Sequence, residues 1–308
     1  VLEIDRLDSS TIDEVVARVV AAQADVARRH PLVDPRVDDV ALAESLASAA
    51  ADVAVARRGG RVVGHLRGTV LEGDGFGHSV WMNPGGLSYD DDVVLEALYV
   101  AQADRWLAAG ADRHYVWVPR DEAVEPWLLF GFAPAHQRGV RRLDELEPAA
   151  MPAGYVVRRG GVTDLEAALE LDRRLSDAQA AGPSYERPGD EDQRREQWLE
   201  TLEDPDVTHV VVERDGLAVA QCVAFTPPER IGSFPDAVHL SAVVVSEPHR
   251  RLGVARAMVD AALDDARARG AGYAETNWRV SNRRAARYWA AYGFSETYVR
   301  LHRPVGVG

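Results

Sequence analysis

The chain repeats itself, and that constrains its fold more than any other feature. "WLLFGF" at 127–132 and "WAAYGF" at 289–294 both read Trp, two apolar residues, an aromatic, Gly and Phe. Upstream, "LAAGADRHYVWV" (107–118) echoes "ARARGAGYAETNW" (266–278). In each, a glycine (Gly110 or Gly270) ends a helical pattern and a β-rich run follows. "RGGRVVG" (58–64) echoes "RDGLAVA" (214–220), where Gly60 and Gly216 suit the turn of a hairpin. "IDRLDSSTIDEVVARVV" and "VVRRGGVTDLEAALEL" both read as a strand, a polar turn and an amphipathic helix. Four echoes in one order, about 160 residues apart, mark a duplicated unit. A chain of 308 residues has room for two domains of about 150 each.

The expected division is residues 1–146, a linker at 147–154 within "DELEPAAMPAG", and residues 155–308. Each copy reads strand, helices, several strands, helix, strand, helix, strand. That order predicts a mixed α/β domain with helices layered on a mixed sheet.

Composition narrows the function classes. The formal net charge is −14, which disfavours nucleic acid as a partner and suits cationic substrates. A single cysteine, Cys222, excludes an internal disulfide and fits a reducing compartment. No apolar run approaches the ~20 residues of a membrane span. The first residues lack the layout of a signal peptide. A cytoplasmic location with no membrane partner is therefore expected. The 9 histidines are scattered, without the spacing of a metal site. There is no Walker or dinucleotide glycine fingerprint.

The chemistry concentrates in the second copy. "AVHLSAVVV" (237–245) reads as a buried strand. From Val254 onward, apolar residues recur at helical spacing. Between them lies "SEPHRRLGVARAM" (246–258), with Arg250, Arg251 and Arg256 around Gly253. A helix N-terminus offers unpaired N–H groups and positive potential, and ordinarily attracts Asp or Glu. Arginines there are electrostatically unfavourable unless an anion lies among them. Gly253 and Ala255 let that anion approach the backbone, which is the arrangement of a phosphate seat. "SNRRAARYWAAYGF" (281–294) follows the next strand, with Asn282 placed to cap a helix.

Arg-x-x-Gly-x-Ala, a helix, a strand and then Asn-x-x-Ala with aromatics before Gly-Phe resembles the GNAT-type acetyltransferase superfamily, over about residues 155–303. The resemblance implies two tandem GNAT-like acyl-CoA N-acyltransferase domains, with acetyl-CoA as co-substrate and no metal. It implies that Arg250, Arg251, Leu252, Gly253, Val254, Ala255 and Arg256 hold the pyrophosphate. Val243, Val244 and Val245 would lie along the pantetheine arm, with Asn282, Ala285 and Trp289 beside it. One position departs from the family: Trp289 stands where a Tyr, commonly assigned to protonate the leaving thiolate, is usual. Tyr288, one residue earlier, is the remaining candidate for that proton and points about 100° away on a helix.

The first copy has no counterpart of the arginine loop. "NPGGLSYDDDVV" (83–94) puts Asp90, Asp91 and Asp92 at its helix start, and Pro126 interrupts the later helix. It reads as a degenerate copy that packs against the second or walls an acceptor pocket. The expected activity is N-acetyl transfer to a small-molecule or peptide amine in a ternary complex. A free alkylammonium titrates near ~10.4, so a base is needed. His239 and Glu275, on neighbouring strands, are the candidates. The alternative is a non-catalytic acyl-CoA sensor or scaffold. A monomer or homodimer suits either reading.

Overall fold

The structure, a computed structural model, describes residues 1–72, 77–184 and 189–306. Residues 187 and 188, the start of a charged run up to residue 197, lie outside the described residues. The first half of the chain runs β1 (Leu2–Arg6), α1 (Ile12–Arg29), α2 (Asp39–Ser48), β2 (Val53–Arg58), β3 (Arg61–Arg67), β4 (Thr69–Leu71), β5 (Ser79–Met82), β6 (Leu87–Tyr89), α3 (Asp92–Ala108), β7 (Arg113–Pro119), α4 (Glu125–Leu129) and β8 (Ala133–Arg142). The second half runs β9 (Tyr155–Arg159), α5 (Leu165–Ala180), α6 (Glu191–Glu203), β10 (Thr208–Arg214), β11 (Leu217–Phe225), β12 (Ala237–Val245), α7 (Val254–Ala268), β13 (Tyr273–Arg279), α8 (Arg283–Ala291) and β14 (Ser295–Pro304). The same element order occurs twice, apart from the extra short strands of the first half. The mixed α/β duplication read from the sequence is the observed fold.

Two compact units form, and neither is contiguous. The first comprises Val1–His136, Arg230–Ser233 and Thr297–Gly308, and the second Gln137–Glu229 and Phe234–Glu296. The contiguous division at 147–154 does not anticipate this. Most of the last strand belongs to the first unit, where Tyr298–Pro304 pairs antiparallel with Arg113–Pro119. The Gln137–Arg142 part of β8 belongs to the second unit, next to β13. Neither strand carries a clean apolar alternation, so nothing in their residue pattern says which unit each completes.

In the second unit the strand order is β8, β13, β12, β11, β10, β9. On one face, α7 buries Val254, Met258, Ala262, Leu263 and Ala266 against Cys222, Leu240 and Trp278. Each large apolar side chain buried this way contributes roughly 1.5–3 kcal/mol. On the other face Ala168 and Leu169 of α5 and Trp198 of α6 pack on Val223 and Phe225. β8 fits beside β13 because of Gly139, where a Cβ would come within 2.5 Å of the Trp278 ring.

In the first unit the equivalent of β12 is broken. Its first part, β5, pairs parallel with β7, and its second part, β6, pairs antiparallel with β3. Residues 83–86 lie between, so this unit holds two sheets: β1-β2-β3-β6, and one in which β4, β5, β7 and β14 are successive neighbours.

Candidate functional site

The site is built where β12 and β13 part. The two parallel strands pair only from Ala237↔Tyr273 to Leu240↔Thr276. Thr276 Oγ1 donates to the Leu240 carbonyl at 2.9 Å and closes the ladder. Past that point β12 bulges, because Gln221↔Val244 and Val223↔Ser241 leave one extra residue on β12. Ala242 absorbs it with φ +48°, in the left-handed region that costs a non-glycine residue about 1–2 kcal/mol.

The bulge reverses which way the strand's side chains point. Strict alternation would put His239 on one face with Val243 and Val245. Instead Val238, Leu240 and Val245 share the α7-side core, and Val243 packs against it. His239 lies on the other side, its ring 5.2 Å from that of Phe225.

His239 and Glu275 face each other across β12 and β13. His239 Nδ1 is 3.0 Å from Glu275 Oε1, and the carboxylate is almost wholly buried. The Glu275 Oε2 accepts from Arg138 Nη2 at 2.7 Å, and the guanidinium is also buried. An ionised carboxylate only accepts hydrogen bonds, so in this pair Nδ1 is the donor. The two candidate bases are thus bonded to each other, which leaves Nε2 of His239 on the far side of the ring. The imidazole is 13% exposed. Arg138 was not foreseen, because the segment around it was read as the end of the first copy. No local signal marks it, since β8 reads APAHQRGVRR and is largely polar.

The arginine loop follows β12. Gly253 occupies the N-cap of α7 with φ +85° and no side-chain cap, and the first turn holds no acidic residue. A Cβ on Gly253 would meet only Pro152 Cγ at 3.6 Å, so the approach to the backbone is open. The first helical bond runs from Ala257 N to Gly253 O, which leaves the N–H groups of Val254, Ala255 and Arg256 directed out of the helix end. Arg251 (φ +64°) and Leu252 are exposed on the loop. Arg250 Nε donates to the Val245 carbonyl at 2.8 Å and braces the turn. Arg256 is half-exposed, 3.5 Å from Asp260 and over the Tyr292 ring. This donor set, with open backbone and no competing carboxylate in the first turn, suits a pyrophosphate.

At α8, Asn282 Oδ1 accepts from Ala285 N at 3.0 Å, so Asn282 is the cap and Ala285 the small residue of the first turn. Trp289 is 5% exposed and packed in the core, leaving little surface for a ligand. Tyr288 packs on the same α7-side core, and burial pushes its hydroxyl above the usual phenol range, with Cys222 and Asp260 adding to the effect. Its Oη has no hydrogen-bond partner. His239 and Tyr288 therefore sit on opposite faces of the sheet.

The first unit differs at the matching helix. Asp91 caps α3, its carboxylate accepting from Val94 N at 3.0 Å and from Arg58 at 2.9 Å. α4 spans only Glu125–Leu129, with a proline in its first turn. Among the described residues no group of three or more His, Cys, Asp or Glu is arranged to hold a metal, and no helix is long and apolar enough to cross a membrane.

Residues 173–294 match the family model "Acetyltransferase (GNAT) family". A GCN5-related N-acetyltransferase from Sphaerobacter thermophilus is similar in structure over 98% of this chain and 95% of its own, with a TM-score of 0.67 at 14% identity. A tandem GNAT protein from the clavulanic acid biosynthesis pathway is similar over 100% of both chains, with a TM-score of 0.57 at 19% identity. A GCN5-related N-acetyltransferase from Kribbella flavida covers 83% of this chain and 88% of its own, with a TM-score of 0.51 at 15% identity. No curated protein sequence matches the chain. The parted strands and the arginine loop lie within the segment 173–294 that matches the acetyltransferase (GNAT) family model, in a chain whose fold is that of tandem GNAT proteins.

Proposed function

We propose that the second unit is an acetyl-CoA-dependent N-acetyltransferase that modifies a primary amine by direct attack in a ternary complex. The observation that carries this is the His239–Glu275 pair beside the point where β12 and β13 separate. Acetyl-CoA, when bound, supplies the acyl group as an activated thioester. The N–H groups of Val254, Ala255 and Arg256, with the Arg250, Arg251 and Arg256 side chains, hold the pyrophosphate at Gly253 and Leu252. The β12 backbone at Val243, Val244 and Val245, freed from β13, lines the arm, with Asn282 and Ala285 across from it. His239 Nε2 takes a proton from the incoming ammonium or amine, and Glu275 steadies the resulting imidazolium. The nitrogen forms its bond to the acyl carbon as the C–S bond breaks, and the remaining excess proton of that nitrogen passes through water to the sulfur, which leaves as a thiol. Tyr288, facing the opposite core, supplies no proton in this scheme.

The first unit, with Asp91 in its helix cap, is proposed to hold no coenzyme. A second reading, a non-catalytic acyl-CoA sensor, is favoured by Trp289 lying in the core where the family's Tyr would offer a hydroxyl. One experiment separates them: thiol release from acetyl-CoA across a panel of primary amines, for the native chain and His239→Gln. The enzyme reading expects amine-dependent release that falls about 10²–10⁴-fold in the variant with unchanged coenzyme affinity. Coenzyme binding with no release for any amine would establish the sensor instead.

A further inference from the structure

The first unit contains a cavity of about 510 Å³ beside the break between β5 and β6. Its size falls in the range of small-molecule sites, ~300–1,000 Å³. Tyr89, Trp117, Trp127 and Tyr298 line it together with two ionisable side chains, Arg18 and Glu122.

These two charges are unequally satisfied. Arg18 donates to Ser88 Oγ at 3.2 Å, to the carbonyls of Val62 and Val63 at 3.4 and 3.1 Å, and to Asp90 at 2.7 Å. Its guanidinium is occupied by the protein itself. Glu122 has only Arg29, at 3.2 Å. Arg29 also serves Asp25 and Asp121. Asp25 has Arg28 as a further partner, and His30 lies 2.7 Å from Asp121. Three carboxylates therefore share two guanidiniums and the His30 imidazole, and Glu122 is the carboxyl that reaches the cavity. Burial raises its pKa, with Arg29 and His30 opposing the shift and Asp121 adding to it. A cation placed beside it would relieve that penalty.

The aromatic walls supply the rest of the site. The buried Trp127 indole N–H meets the Tyr89 hydroxyl, so the protein itself holds this wall in place. Buried indole N–H groups are ordinarily paired. Aromatic faces around an under-compensated carboxyl form a site for an organic cation, where ring quadrupoles and carboxylate attract the same charge.

We propose that this cavity is a second binding site, for an organic ammonium carrying an apolar group, independent of the coenzyme site in the second unit. The carboxyl of Glu122 pairs with the ammonium, and the aromatic walls take the apolar part. A pyrophosphate-bearing coenzyme is excluded from it by the same carboxyl and by Asp90 and Asp91 at the start of α3.

The test uses the full chain and two probes of one shape, 4-phenylbutylammonium and the neutral 4-phenylbutanol, followed by tryptophan fluorescence and calorimetry. The ammonium is expected to saturate one site and to bind at least tenfold more tightly than the alcohol. Glu122→Gln should weaken the ammonium about tenfold and leave the alcohol unchanged. Ala22→Trp, at an exposed position that lines the cavity, should block both probes. His239→Gln should change neither. Equal affinity for the two probes, or ammonium binding that survives Glu122→Gln and Ala22→Trp, would overturn the proposal. So would ammonium binding lost in His239→Gln, which would place the probe at the acceptor site of the second unit.

Discussion

Glu275 is a buried carboxylate with a guanidinium on one oxygen and an imidazole on the other. Removing one partner of a buried pair leaves the other charge uncompensated and costs about 3–5 kcal/mol. Arg138→Met is therefore expected to lower the unfolding free energy by that amount in urea titration. Arg138→Met combined with Glu275→Leu should recover much of the loss, because both charges then leave the core. Equal losses in the single and double variants would mean that the pair is not the source. Tyr288→Phe is the contrasting case. It removes a buried hydroxyl that has no partner, so stability should hold or rise by up to about 1 kcal/mol, and amine-dependent thiol release should stay within about threefold by the general acid–base scale. A loss of a hundredfold or more would return the leaving-group proton to Tyr288. Residue-level reading of the sequence reached His239 and Glu275 separately, as neighbours on adjacent strands. It could not join them, because hydrogen-bond partners depend on register, and it missed Arg138, whose strand lies far away in the chain.

At the scale of elements, the loop before α7 and the bulge in β12 do different work. The helix start was legible because Gly, Arg and a following apolar stripe are local signals. The bulge was not, because Ala242 carries no mark of a positive φ, and one extra residue there reverses the facing of Val243 and Val245. At Gly253 the backbone is left-handed, with φ +85°. Gly253→Ala should cost about 1–2 kcal/mol from the left-handed conformation alone and leave the helix end open. Gly253→Glu should in addition abolish acetyl-CoA binding, since it places an anion where the pyrophosphate would lie. Circular dichroism should show the fold retained in both. The duplicated order of elements was readable from four local echoes. The strand membership of β8 and β14 was not, since it is decided by long-range pairing.

Across the whole molecule, the first unit holds two buried histidines whose protonation is strongly disfavoured. Burial depresses His65 and His114 to about 4. In the unfolded chain an imidazole titrates near ~6.5. Between those values the unfolded state binds more protons, so stability is complete above the upper value and falls as the pH drops toward the lower one. At pH 5 the fully buried His65 alone should cost this unit about 2 kcal/mol. Hydrogen exchange of β2 and β3 should accelerate between pH 7 and 5 after correction for intrinsic rates, and His65→Gln should reduce the slope. A pH-independent protection pattern would contradict the burial argument. The central claim concerns the other unit, that it alone seats the coenzyme, and calorimetric titration of the full chain with acetyl-CoA tests it most directly. The account predicts one site per chain, absent in Gly253→Glu. Two sites, or a site that survives that substitution, would contradict it.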